Sequence, residues 1–76
     1  MKKLLKFLIS NIVNHPREIV IEEEEKDNLL GLKIKVNPED LKIIIGKKGR
    51  TIKAIRNLLR LKANKQGKRV NLLLEE

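Results

Sequence analysis

Hydrophobic positions near the start of the chain recur at helical spacing: Leu5, Leu8, Ile9, Ile12 and Val13 fall on one stripe, widened by Leu4. This predicts a helix over residues 4–14. His15-Pro16 ends it, because the residue before a proline disfavours helical backbone angles. His15 then lies at the helix end, where a charged imidazole interacts favourably with the C-terminal dipole. Further on the period changes to two. Ile19-Val20-Ile21 is a β-branched run that opens a strand continuing into Glu22–Glu25, and Lys26-Asp27-Asn28 supplies turn chemistry. Leu30, Leu32, Ile34 and Val36 then alternate with Gly31, Lys33 and Lys35, the pattern of a half-buried second strand.

Asn37-Pro38-Glu39-Asp40 reads as a helix start: Asn37 caps, Pro38 suits the first helical position, and both acids sit in the first turn. That helix is short, from Leu41 to about Ile45, because Gly46 and Gly49 follow. A longer helix runs from about Arg50 to Asn64, Gln66-Gly67-Lys68 breaks it, and Val70, Leu72 and Leu74 alternate as a closing strand. The order helix, strand, strand, helix, helix, strand defines one α+β domain. Its three-stranded sheet is covered on one face by the helices, with no linker, repeat or low-complexity segment.

Composition narrows the chemistry. In 76 residues there is no cysteine, one histidine and one aromatic residue, Phe7. A Cys–His nucleophile pair is excluded, a zinc site lacks ligands, and no acid, base and nucleophile converge as an enzyme requires. Cofactor and metal are both expected to be absent. The four consecutive glutamates alternate sides of a strand and cannot all reach one ion; Lys33 and Lys35 across a hairpin suit them better. Met1-Lys2-Lys3 before Leu4-Leu5 resembles the start of a signal peptide, but Lys6, Ser10 and Asn11 interrupt it and no cleavage site follows. No run reaches the ~18 apolar residues of a membrane span. A cytoplasmic protein without a membrane contact is expected.

Charge is divided unequally. The net charge is +8, yet residues 1–41 hold seven basic and eight acidic side chains, while residues 42–76 hold eleven basic and two acidic ones. A polyanion meeting one face is the physical reading. The basic half begins at Ile43-Ile44-Ile45-Gly46-Lys47-Lys48-Gly49-Arg50-Thr51-Ile52. Two glycines three apart allow a sharp turn and close backbone approach, and the second leads into a helix whose free N–H groups favour phosphate. Lys47 and Lys48 fill the tip. It is neither a Walker loop nor a dinucleotide fingerprint, because the spacing and the flanking elements differ. On the helix that follows, with Ile52 at 0°, Ala63, Leu59, Ile55 and Leu58 fall between ~240° and ~20° and form the core face. Arg50, Lys53, Arg56, Asn57 and Arg60 fall between roughly 40° and 160°, a basic stripe continuing from the loop.

The apolar–apolar–Gly-Lys-Lys-Gly-Arg pattern between two helices, with two strands before and one after, resembles a KH domain in the helix-first, type II order. The likeness runs over nearly the whole chain and is greatest to the small single-domain bacterial KH proteins of the KhpA family. It is carried by His15-Pro16, Val36-Asn37-Pro38-Glu39-Asp40, Ile44-Ile45-Gly46-Lys47-Lys48-Gly49-Arg50, Lys53-Ala54-Ile55-Arg56 and Lys68-Arg69-Val70.

The resemblance implies single-stranded RNA binding, with the Gly46–Gly49 loop clamping about four nucleotides of backbone. Gly46 and Gly49 would permit close approach, and Lys47, Lys48 and Arg50 would meet phosphates. Ile44, Ile45 and Ile52 would line or support a base groove, and Lys53 and Arg56 would extend the contact. Without Tyr or Trp to stack on bases, affinity is expected to rest on phosphates and aliphatic surface. The family further implies an RNA chaperone or post-transcriptional regulator that acts with a larger multidomain KH protein of the KhpB, Jag or EloR kind. It is linked there to cell-envelope growth and cell length. Pairing with itself or with that partner would use Ala54 and Leu61, which lie at ~200° and ~180°, opposite the core. Two rivals stand beside this reading: a dimerising interaction subunit whose partner carries the RNA, and an architectural DNA binder.

Overall fold

A computed structural model describes residues 1–75. Helix α1 (Lys2–Ser10) is followed by a short 3-10 turn at Pro16–Glu18, then β1 (Val20–Lys26), β2 (Leu29–Lys35), α2 (Pro38–Ile45), α3 (Arg50–Lys65) and β3 (Arg69–Glu75). The sheet order is β1-β2-β3. The first pair is an antiparallel hairpin turned by Asp27 and Asn28, both at positive φ (50° and 66°), which suits the twist of a two-residue hairpin loop. β3 returns parallel to β2 after the crossover through α2 and α3, as parallel neighbours require.

Alternation decides what each face carries. Ile21, Ile34 and Leu74 share one register row, and Leu32–Leu72 and Leu30–Val70 share the next two on the same face. Against them pack Leu5 and Ile9 of α1, Ile44 of α2, and Ile52, Ile55 and Leu59 of α3. The opposite face holds Val20, Glu22, Glu24, Leu29, Lys33, Lys35, Asn71 and Leu73, all exposed and with no helix over them. Helices on one face only is therefore the arrangement found. At the free edge of β1 the glutamates blunt the strand against pairing with another chain. Two of them reach back: Glu23 accepts the first backbone amide of α1 from Lys2 at 3.2 Å, and Glu25 pairs with Lys68 at 2.9 Å. Glu22 stands opposite Lys33, but Lys33 makes its ion pair with Glu75 at 3.7 Å.

Two expectations are corrected. The first helix ends at Ser10 rather than reaching Asn14, so Ile12 is exposed and Val13 only partly covered. Asn11 Nδ2 and Ser10 Oγ both donate to the Phe7 carbonyl, and the amides of Asn14 and His15 are taken by Asp40 instead of by a helix. His15 thus sits beyond the helix, with Nε2 3.0 Å from Glu39 and Nδ1 3.5 Å from Glu18. The hydrogen bond to Glu39, with further help from the neighbouring carboxylates, raises its pKa above 6.5. Leu58, expected in the core, is 49% exposed and lies beside Leu61, at 62%. Their neighbours Lys62 and Lys65 complete a shallow apolar-and-basic recess on α3.

Candidate nucleic-acid interface

α2 begins as its sequence dictates: Asn37 Oδ1 accepts the Glu39 amide at 2.9 Å, Pro38 takes the first position, and the cap's Nδ2 holds Glu18 at 3.0 Å. Asp40, completely buried, ties this start to the α1–β1 connection. The C-terminal end of α2 is fixed just as firmly, since the Gly46 amide donates to Lys42 O at 2.9 Å. The glycine loop therefore springs from a helix anchored at both ends.

Within the loop, Gly46, Lys48 and Gly49 have φ of 75°, 57° and 73°. Three positive φ angles in four residues fold the chain into a tight turn closed by Gly49 N to Gly46 O at 3.1 Å. The glycines serve different purposes. A Cβ on Gly46 would meet Thr51, lying 2.8 Å from its backbone nitrogen, whereas a Cβ on Gly49 would meet nothing within 4 Å. The close approach at Gly46 is thus to the first turn of α3, while Gly49 is required by its left-handed backbone alone. Lys48 accepts that conformation without being glycine, at a cost of about 1–2 kcal/mol.

Lys47, Lys48, Arg50, Lys53 and Arg56 are all exposed. Among the described residues none of them makes an ion pair. No side chain caps the start of α3, and its first amide, that of Arg50, donates to Lys47 O within the turn. Of Ile44, Ile45 and Ile52 only Ile45, 38% exposed, presents apolar surface; Ile44 and Ile52 are buried and hold the loop's two stems to the core. Ile44, completely buried, has no surface to offer a ligand.

Arg56 has a partner that sequence did not show. Its guanidinium donates to Leu72 O of β3 at 3.3 Å. Arg56, Arg60 and Leu59 form one wall of a cleft of about 190 Å³ whose other wall is Val70–Leu73 of β3. The strand wall was missed because no sequence signal says which strand ends at the edge of a sheet. A wider recess lies on the open sheet face over Gly31, but Glu22 and Glu24 flank it, the wrong charge for phosphate. Ala54 and Leu61 are exposed on the far side of α3, with Leu58 now beside them.

A three-stranded sheet backed by three helices in this order, with a Gly-x-x-Gly turn joining the second and third, is a type II KH domain. The profile of the family described as KhpA/KhpB, KH domain, matches residues 2–74, and the chain belongs to that family. Relatives named RNA-binding protein KhpA include one from Listeria monocytogenes, 38% identical over the full length of both chains. Another, from Chlamydia pneumoniae, is 41% identical over all of this chain and 97% of its own. Among solved structures, Aquifex aeolicus Era bound to GDP and aluminium fluoride superposes with a TM-score of 0.63 at 27% identity. Era in complex with nucleotides 1506–1542 of 16S ribosomal RNA gives 0.56 at 29%. Each covers 95% of this chain, which spans only 28% of the Era chains.

Proposed function

We propose that the protein binds single-stranded RNA without catalysis, the Gly46–Gly49 loop gripping the backbone. The observation that carries this reading is the loop itself: a turn built on three positive φ angles, with unpaired Lys47 and Lys48 at its tip and, behind it, a start of α3 that no side chain caps. Arg50 and Lys53 continue the cationic track, Gly46 and Gly49 hold the turn's shape, and Ile45 offers aliphatic surface to a base. Ile44 and Ile52 act from within the core, and Arg56 joins the loop to the cleft along β3. Relatives named for RNA binding, and an Era structure that contains ribosomal RNA, support the polymer class. In this reading the protein works in the cytoplasm as an RNA chaperone or regulator together with a larger KhpB-like KH protein, in the service of envelope growth.

Replacing Lys47 and Lys48 by Asp tests it. An exposed tip has little packing to lose, so circular dichroism should be unchanged. Affinity for single-stranded RNA should fall by at least roughly tenfold, about 1.4 kcal/mol. With three or four phosphates engaged, log K should fall with log[salt] at a slope of roughly −2 to −3. Equal affinity in wild type and double variant, or affinity indifferent to salt, removes the loop from the function. A second reading, a dimerising subunit, is favoured by one observation, the exposed Ala54, Leu58 and Leu61 on α3.

A further inference from the structure

The chain's single aromatic side chain is outside its core. Phe7 is 66% exposed, while Leu5 and Ile9 on the same helix are completely buried. At 100° per residue Phe7 points ~200° from Leu5, directly away from the sheet. Lys3, at ~160°, shares that outer face, Lys6, at ~100°, lies on its flank, and both are exposed. α1 contains no acid, and among the described residues neither lysine has a carboxylate partner. An exposed apolar residue alone is ordinary. An exposed ring beside two unpaired lysines has a definite chemistry, because the ring face accepts any base by stacking while the ammonium groups take phosphates on one side of it.

We propose that the outer face of α1 is a second contact for single-stranded nucleic acid, in which Phe7 stacks on a base and Lys3 and Lys6 meet phosphates on one side of it. This rests on the RNA-binding reading but uses a surface on a different helix from the glycine loop. The geometry favours nucleic acid over other occupants. A membrane-surface helix must lay a broad apolar face into lipid, and the apolar face of α1, Leu5 and Ile9, is already committed to the core. A protein interface is centred on a cluster of desolvated apolar anchors, and this face has one. One ring beside two cations suffices for one base. The consequence is a footprint longer than the loop alone can hold, so that a long strand gains affinity a short one does not.

The test compares RNA of about four nucleotides, the length a Gly-x-x-Gly loop clamps, with RNA of roughly 16 nucleotides. Phe7→Ala, Phe7→Leu and a Lys3→Glu/Lys6→Glu double variant are titrated beside wild type and the Lys47→Asp/Lys48→Asp loop variant. Circular dichroism checks that each is folded. Loss of a stacked base should weaken long-RNA binding by about 5- to 100-fold in both Phe7 variants, leucine included, because it keeps bulk and loses the π face. The Lys3/Lys6 variant should follow, short-RNA affinity should hold, and Phe7→Trp should bind the long strand at least as well as wild type. The loop variant should weaken both lengths. If the Phe7 variants bind the long strand as wild type does while the loop variant fails, the inference falls and the loop reading stands. If wild type binds neither RNA, both fall. Phe7-dependent sedimentation with phosphatidylserine vesicles, or a Phe7 effect on self-association, with long-RNA affinity unchanged, assigns the face to a membrane or to a protein and also overturns it.

Discussion

The backbone amide of His15 donates to one carboxylate oxygen of Asp40 at 3.0 Å, and the adjoining amide of Asn14 donates to the other at the same distance. Asp40 is completely buried, so one acid joins the chain leaving α1 to the helix that carries the glycine loop. Asp40→Ala would leave two donors without an acceptor, and destabilisation of about 2–4 kcal/mol is expected. Asp40→Asn should recover only part of this, since its amide presents a donor to one of those N–H groups. Urea titration of the three proteins checks the order. A change below about 0.5 kcal/mol in the alanine variant would mean the clamp adds nothing.

His15 gives that junction a pH dependence. Its raised pKa comes first from the hydrogen bond to Glu39; desolvation opposes the rise, and the charges of Asp40, Glu18 and Glu39 add to it. A folded pKa above the unfolded one means that the protonated ring stabilises the fold. That contribution is complete below about pH 6.5 and fades as pH rises through the folded value. Wild type should therefore exceed His15→Gln in stability at about pH 5.5 by more than it does at about pH 8. A stability difference independent of pH would mean that the ring is bound equally in both charge states.

The two loop glycines should separate by substitution. Gly49→Ala meets only the left-handed penalty of about 1–2 kcal/mol, because the space beside it is open. Gly46→Ala adds a collision with Thr51, including its backbone nitrogen, and should cost more than Gly49→Ala by at least about 1 kcal/mol. Thermal denaturation ranks them. Equal costs would show that the α2–α3 junction yields freely.

Much of this was legible in the sequence. Leu30, Leu32, Ile34 and Val36 alternate and are all buried, and Asn37-Pro38 starts α2 at the expected residue. These signals are local: a period or a cap is complete within a few residues. What could not be read depends on distant partners. The period of the first helix runs on to Val13, but Asp40, far along the chain, claims the next amides. Leu58 lies near the apolar face by its angle, yet a wheel says nothing of how far the neighbouring elements extend. That a Cβ on Gly46 would collide with Thr51 is likewise a matter of how α2 and α3 meet, which no local pattern shows.

The uncovered strip of α3 yields a prediction about assembly. A two-fold interface would bring Ala54, Leu58 and Leu61 of one copy against the same residues of another, so each contact counts twice. Leu61→Asp and Leu58→Asp should each dissociate such a dimer by placing unpaired carboxylates at its seam, leaving a folded monomer. Light scattering with circular dichroism decides. A wild type that stays monomeric at high concentration, or a dimer indifferent to both changes, makes these ordinary exposed leucines.

The parallel pairing of β2 with β3 has a consequence for how the chain acquires its structure. The β1–β2 hairpin closes through two residues and can form early. Leu29 with Arg69 and Lys35 with Glu75, in contrast, each close a loop of roughly forty residues, an entropic cost met before any contact rewards it. Leu30, Leu32 and Ile34 wait for Val70, Leu72 and Leu74, which are made about forty residues later. A chain stopped before Arg69 lacks one whole side of its central strand, and with it the wall against which α3 rests. The glycine turn is synthesised well before the scaffold that gives it a fixed shape, so a nascent chain exposes Lys47 and Lys48 before the turn that carries them is held in place.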